Sequence, residues 1–322
     1  MKAKKISFLV LAMGCIAVMA ITSCSKSNSG GGGGTTVVTI GGYVSSDSVA
    51  ASSLVAYWPM DGNGNDTKGG QTGTVNGGSF TTGIRGQAYQ GDTTGTYISS
   101  GVSSAVAGLQ SYTWSAWIKS PAAGKKPTYY GHNTHGTTAQ GIFFLGSSTN
   151  GSYGNELIVE SDNLDSVQFT NDTLALHWGF NDPGGVTSPS GWNPLLYVMT
   201  SSPNDTSSIG WEHVVMSYDG SSSTFVGYWN ATPISVSSAF GKNLSTTMLN
   251  GAVADGGVPL ANLSFASAAP DVITIGAWPA YGVFGLNNTN SFAGTIDEMR
   301  IYNRALTQQE ITGLYLNGRA GR

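Results

Sequence analysis

The chain has 322 residues, with 10% charged and 10% aromatic residues, 46 glycines and a formal net charge of −4. Few charges beside many aromatics exclude a disordered chain, and scattered Lys and Arg without a basic patch exclude a nucleic-acid binder. The only cysteines are Cys15 and Cys24, so the rest of the chain has no disulfide and no Cys-based zinc site.

Residues 1–23 have the layout of a signal peptide. Lys2, Lys4 and Lys5 precede an apolar run, Phe8 to Ile21, that is short for a membrane span. The run ends in Ile21-Thr22-Ser23-Cys24, which resembles a bacterial lipobox and implies cleavage before Cys24 and lipidation of its thiol. Ordinary cleavage beside an incidental cysteine is the alternative. Acyl chains contribute roughly 0.8 kcal/mol per buried CH₂, so several of them anchor a protein to a membrane. Residues 24–53 open with a serine- and glycine-rich stretch and read as a flexible tether that lifts a folded module off the membrane.

Leu54 to Met60 is the first strand. It runs into Asp61-Gly62-Asn63-Gly64-Asn65-Asp66, where oxygens at alternating positions suit calcium. The loop is not an EF-hand, because Asp66 stands where the glycine is needed and Thr72 where the glutamate is. An Asx-turn loop without metal accounts for the same residues. Short strands are expected at Gly73–Val75, Ala88–Tyr89 and Thr96–Ser99. The clearest follows at Tyr112–Lys119, where Tyr112, Trp114, Ala116 and Ile118 alternate with Thr113, Ser115, Trp117 and Lys119. Trp117 thus falls on the more polar face. Further strands are read at 141–145, 156–160, 173–178, 195–200, 211–218, 224–229 and 272–277. Many short strands separated by turn residues indicate a sandwich or jelly roll.

The most patterned stretch closes the chain. In GTIDEMRIY, alternation groups Thr295, Asp297, Met299 and Ile301 on an expected core face, where a bare carboxylate is costly. Asp297 therefore needs donors or a cation. A helix follows: Thr307 and Glu310 have the spacing of a capping box, Ile311, Leu314 and Tyr315 make an apolar stripe, and Gly318 reads as its stop.

The segments LVAYWPMDGNGND, GQAYQGDTTGTYIS, YTWSAWIK, WEHVVMSYDG, ITIGAW and FAGTIDEMRIYNRALTQQEITGLY resemble, in order, the laminin-G-like domains of the concanavalin A-like lectin/glucanase superfamily. The resemblance covers about residues 54–316. It implies an all-β fold, a two-sheet antiparallel jelly-roll sandwich with a short C-terminal helix, filling residues 54–318. Long inserts near 125–210 and 231–270 depart from the shorter family pattern. It also implies a carbohydrate- or protein-binding role and, in many members, a structural calcium ion. The expected metal ligands are Asp61, Asn63, Asn65, Asp66 and Asp297, with Asp61 and Asp297 sharing the cation.

The same superfamily contains glycoside hydrolases, some with an E-x-D-x-x-E strand motif. Here the sequence is Glu160-Ser161-Asp162-Asn163-Leu164-Asp165, and the third acid is one methylene short. A solvated strand end explains it equally. His132 and His135 form H-x-x-H in a loop without further nameable ligands, and His177 and His213 read as packing or hydrogen-bonding residues. The inserts supply aromatic platforms among polar residues, so Tyr129, Tyr130, Trp178 and Trp192 are the expected carbohydrate contacts. The function expected is a non-catalytic, lectin-like protein of the bacterial cell envelope, lipid-anchored at the outer membrane, with a polysaccharide or glycan partner. An adhesion module is the alternative, and a glycoside hydrolase the second.

Cys24→Ser is expected to abolish fatty-acid labelling and to move the protein from the membrane to the soluble fraction. Label retained by the variant would place the lipid elsewhere.

Overall fold

The computed structural model describes residues 37–92, 95–119, 140–146, 157–162, 175–180, 196–199, 210–222, 224–234, 236–238, 262, 270–277 and 291–322. The chain divides into two units, Met1–Val37 and Val38–Arg322, and every element below lies in the second. A short 3₁₀ turn, Ser46–Ser48, comes first. The strands are β1 Leu54–Trp58, β2 Gly73–Asn76, β3 Ser79–Thr82, β4 Gln87–Gln90, β5 Tyr97–Ser100, β6 Tyr112–Lys119, β7 Gln140–Gly146 and β8 Leu157–Asp162. They continue with β9 Ala175–Phe180, β10 Leu196–Met199, β11 Glu212–Asp219, β12 Thr224–Trp229, β13 Thr232–Ile234, β14 Val236–Ser238, β15 Val272–Ile275 and β16 Thr295–Tyr302. The helices are a single turn, α1 Ser104–Ala107, and α2 Gln308–Arg319.

The strands form two antiparallel sheets. The first runs β13-β12-β11-β6-β16-β4-β3, with β1 also paired to β16; the second runs β14-β10-β9-β8-β7-β15-β5-β2. This is the two-sheet jelly-roll sandwich, with the first and last strands side by side: Leu54 faces Tyr302 and Trp58 faces Met299. Between the sheets lies the main core. Alternation along β6 delivers Tyr112, Trp114, Ala116 and Ile118 to it, opposite Ile98, Phe143, Leu145, Ile273 and Ile275 of the second sheet. Burying each large side chain of this kind contributes about 1.5–3 kcal/mol.

A second apolar cluster covers the outer face of the first sheet. Val215, Val226, Tyr228 and Tyr302 there meet Ile311 and Leu314 of α2 and Val49 of the N-terminal segment. Thr307 caps α2 as its sequence requires: its hydroxyl accepts from the Glu310 amide, and the Glu310 carboxylate accepts from the Thr307 amide at 2.8 Å. One expectation changes here. Gly318 lies inside α2 rather than ending it. It is small because Trp117 lies beneath it, and a Cβ at 318 would stand 2.6 Å from Trp117 Nε1. Trp117 is accordingly buried, stacked on Tyr315 at 5.8 Å.

The expected tether is shorter than residues 24–53, because the compact unit begins at Val38. Val49 is buried, Ser46 N and Oγ both donate to Arg322 O, and Asn317 Nδ2 donates to Ile40 O. Val38–Ser53 is thus a strap over the outer face of the first sheet.

The closing strand also departs from simple alternation. Its pairing with β6 shifts register between Asp297 and Arg300, and Glu298 has φ of 50°. This is a β-bulge, which places two consecutive residues on one side. Ile296, Met299 and Ile301 reach the main core. Asp297 therefore does not share the core face with Met299, as strict alternation required, but lies with Glu298 on the outer side.

Gly318→Val is expected to lower unfolding stability by about 1–3 kcal/mol through overpacking against Trp117. A denaturant midpoint equal to that of the wild type would show that α2 is not seated on this ring.

Candidate functional site

Asp297 is fully buried, and its surroundings explain how. The turn between β3 and β4, Gly83–Gly86, lies over it. Asp297 Oδ2 accepts from the amides of Ile84 at 2.8 Å and Arg85 at 3.3 Å, and Oδ1 accepts from the Glu298 amide at 2.8 Å. Asp61 meets the same turn from the other end of the chain, accepting from the Gln87 amide at 2.7 Å. Gly83 and Gly86 are required because a Cβ at either would collide with the carboxylate of Asp297 or Asp61 respectively, and Gly86 has φ of 63°. The two acids expected to share a cation converge on one turn and are answered by its amides.

The other expected metal ligands are engaged similarly. Asp66 Oδ1 accepts from the amides of Tyr57 at 2.8 Å, Lys68 at 3.0 Å and Gly69 at 2.7 Å. Asn63 Oδ1 accepts from Asn65 N at 2.9 Å, and Asn65 Oδ1 accepts from Gly73 N at 3.0 Å. These are Asx-type contacts that fold the loop onto β1 and β2. Among the described residues no group of three or more His, Cys, Asp or Glu side chains is arranged to hold a metal. The donor set fits amide hydrogens, and the burial of Asp297 is answered without a cation.

Beside this turn lies a charge cluster that the sequence did not announce. Arg300 Nη2 donates to Glu298 Oε2 at 2.6 Å and to Asp47 Oδ1 at 2.8 Å, and Arg85 embraces Asp47 through both guanidinium nitrogens at 2.6 and 2.8 Å. Tyr57 completes it, donating to Glu298 Oε1 at 2.6 Å while the Arg300 guanidinium lies 4.3 Å over its ring. The bulge at Glu298 builds this arrangement, since it brings Glu298 and Arg300 to one side. The hydrogen bond from Arg85 leads the causes that hold the Asp47 carboxyl below its usual range. Burial, followed by the charge of Glu298, pushes Asp297 up to about 8 against its three amide donors.

His213 lies on the same outer face. Its Nε2 pairs with Ser115 Oγ at 2.9 Å and its ring stands 5.0 Å from Trp117. Complete burial, and then the charge of Arg300, lowers its pKa to about 3, so the ring is neutral. It is a packing residue, as its place beside aromatics implied.

The expected carbohydrate contacts fare differently. Tyr129, Tyr130 and Trp192 lie outside the described residues, as do Cys24, His132, His135 and Asp165. Trp178 is on β9, where it pairs with Val159, and Val159 pairs with Phe143. Phe143 and its partner Ile275 belong to the main core, and Trp178 shares their register parity. The alternation in ALHWGF carried this signal: Leu176, Trp178 and Phe180 share one parity.

The opposite parity defines the outer face. Glu160 pairs with His177, His177 with Tyr197, and Tyr197 with Ser237. One carboxyl, one imidazole, one phenol and one hydroxyl residue therefore stand in a single row across β8, β9, β10 and β14. Asp162 is on the same face two residues from Glu160, and Gly179 interrupts the next row beside His177. Farther along this face Phe144 and Thr274 are buried. In the sequence Glu160 and His177 stand apart and Tyr197 is one residue of an expected strand; only register places them together.

Residues 236–312 match the family model described as the concanavalin A-like lectin/glucanases superfamily. Over these residues the chain is similar to that superfamily. The match spans β14, β15, β16 and the start of α2. No curated protein matches the chain. Among solved structures, domain 4 of AbnA, a GH43 extracellular arabinanase from Geobacillus stearothermophilus in complex with arabinotriose, is 18% identical. That comparison covers 81% of this chain and 98% of the other, with a TM-score of 0.44. The binding domain of Paraclostridial Mosquitocidal Protein 1 is 15% identical over 82% of this chain and 52% of the other, with a TM-score of 0.48. The chain thus spans about half the length of the second.

Asp297→Asn leaves a single accepting oxygen for three amides and is expected to cost about 1–3 kcal/mol. It should also change the pH dependence. With a folded pKa of about 8 against an ordinary 3.8, the folded state holds a proton that the unfolded state has lost between those values. Stability from this group is therefore greatest at low pH and is lost as pH rises through 8. His213 acts only below its ordinary value of 6.5. The wild type should lose thermal stability from pH 6.5 to 8.5 more steeply than Asp297→Asn, and parallel curves would remove Asp297 as the cause.

Proposed function

We propose that the domain is a non-catalytic glycan-binding module, held at the cell envelope through lipid on Cys24, whose ligand lies against the outer face of the second sheet. The observation that carries this reading is the row Glu160, His177, Tyr197 and Ser237 across four adjacent strands. Sugars offer hydroxyls that need carboxylate, imidazole and hydroxyl partners and C–H faces that need an aromatic one, and the row provides both. Adjacent strands are about 4.8 Å apart, so four of them present an extended strip rather than a pit. A strip fits a chain of sugars better than a single one.

A hydrolase reading has one specific observation in its favour: Glu160 and Asp162 share this face. Hydrolysis also needs an acid protonated at neutral pH and a defined carboxyl separation. We therefore keep binding as the conclusion and let the experiment separate the two.

Immobilised bacterial and plant polysaccharides should retain the protein, and Tyr197→Ala should weaken retention about tenfold or more with the thermal midpoint unchanged. A chelator should leave retention intact, because amides answer Asp61, Asp66 and Asp297. Failure of every polysaccharide to retain the wild type would end the glycan reading. Reducing sugar released by the wild type and lost in Glu160→Gln would make the protein a hydrolase.

A further inference from the structure

The strap Val38–Ser53 contributes to the outer cluster but not to the main core, and strand pairing begins only at Leu54. Its apolar hold is small: Val49 is buried, while Tyr43 and Ala50 pack at the margin. Its polar hold at the C-terminal end includes the Ser46 bonds to Arg322 O, the Arg322 Nη2 bond to Val38 O and the Asn317 bond to Ile40 O, and Arg85 and Arg300 also donate weakly to Ser46 Oγ. Among the described residues its ion pairs all pass through one side chain, Asp47, which bridges Arg85 and Arg300 and is 44% exposed. Arg85 belongs to the turn clamped by Asp61 and Asp297, and Arg300 to the closing strand. Asp47 thus ties the strap to two structures at once.

We propose that Val38–Ser53 is a releasable strap, latched by Asp47 across Arg85 and Arg300, that can leave the outer face of the first sheet while the sandwich stays folded. Asp47 and Glu298 together balance Arg85 and Arg300. Without Asp47 two guanidinium groups face one carboxylate, so a bound strap no longer neutralises them, and the buried Arg300 loses one of its two anionic partners. The sandwich is spared, because Glu298, Tyr57 and the strand ladder still hold Arg300 in place. A pull on the chain upstream of Val38 meets this latch before it meets any strand.

The test is hydrogen exchange by mass spectrometry on the full chain, comparing wild type, Asp47→Ala and Val49→Ala. Asp47→Ala should speed exchange of amides in 38–53, including Ser46, about tenfold, with β6 and β11 unchanged. Raising salt from low to about 0.5 M should speed strap exchange in the wild type but not in Asp47→Ala, since added ions screen the half-exposed latch. The proposal is overturned if Asp47→Ala leaves the strap at wild-type rates. It is equally overturned if β6 and β11 accelerate with the strap, or if Val49→Ala releases the strap and Asp47→Ala does not.

Discussion

The closing strand turns its polar residues outward at a single point, and much of the domain depends on that turn. At Glu298 the backbone enters the left-handed region, an unfavourable conformation for a residue with a side chain. The cost is recovered locally. One extra residue in β16 lets Ile296, Met299 and Ile301 all reach the core while Asp297, Glu298 and Arg300 gather outside. On the edge of β16 opposite β6 the same point divides two neighbours: β4 pairs with Thr295 and Ile296, and β1 with Met299 to Tyr302. The bulge is thus where two partner strands meet and where the carboxylates collect.

These carboxylates work by different physics. Asp297 and Asp61 take backbone amides from one turn and so fix its shape. Glu298 takes a guanidinium and a phenol. A buried ion pair of this kind adds little net stability relative to an apolar filling, but losing one member of it is costly, typically about 3–5 kcal/mol. Its main effect is to make one arrangement of the outer face far better than its alternatives. Loop, closing strand and strap then have a single mutually consistent position.

How far this was legible depends on the length of the pattern. The bounds of β6 and β12 and the capping box at Thr307 follow from alternation and spacing in the chain itself, whereas the pairing of the terminal strands is implied by the family resemblance. The strands that sequence reading passed over, β3, β13 and β14, are three or four residues long, too short to display a period. Asp297 was singled out correctly as a costly carboxylate but assigned to the wrong face, because a two-residue period carries no sign of a bulge. The adjacent pair Asp297-Glu298 inside an otherwise apolar strand was the available hint. The strap was invisible for a similar reason: in a run of Ser, Gly and Ala, only Tyr43 and Val49 mark burial. For the candidate ligand face, Glu160 and His177 carry a visible chemistry, but Tyr197 and Ser237 do not stand out and the adjacency of all four is hidden. Strands β8, β9, β10 and β14 are joined by connections of differing length, which leave the register open, and only their pairing aligns Glu160, His177, Tyr197 and Ser237.

The two sheets also divide the surface between them. The chain enters at the strap, beside α2, on the outer face of the first sheet, and the polar row stands on the far side of the core. The strap and α2 thus take up one outer surface of the sandwich, and the row of Glu160, His177, Tyr197 and Ser237 belongs to the other. Substitutions on one outer surface can therefore be made without touching the residues that line the other.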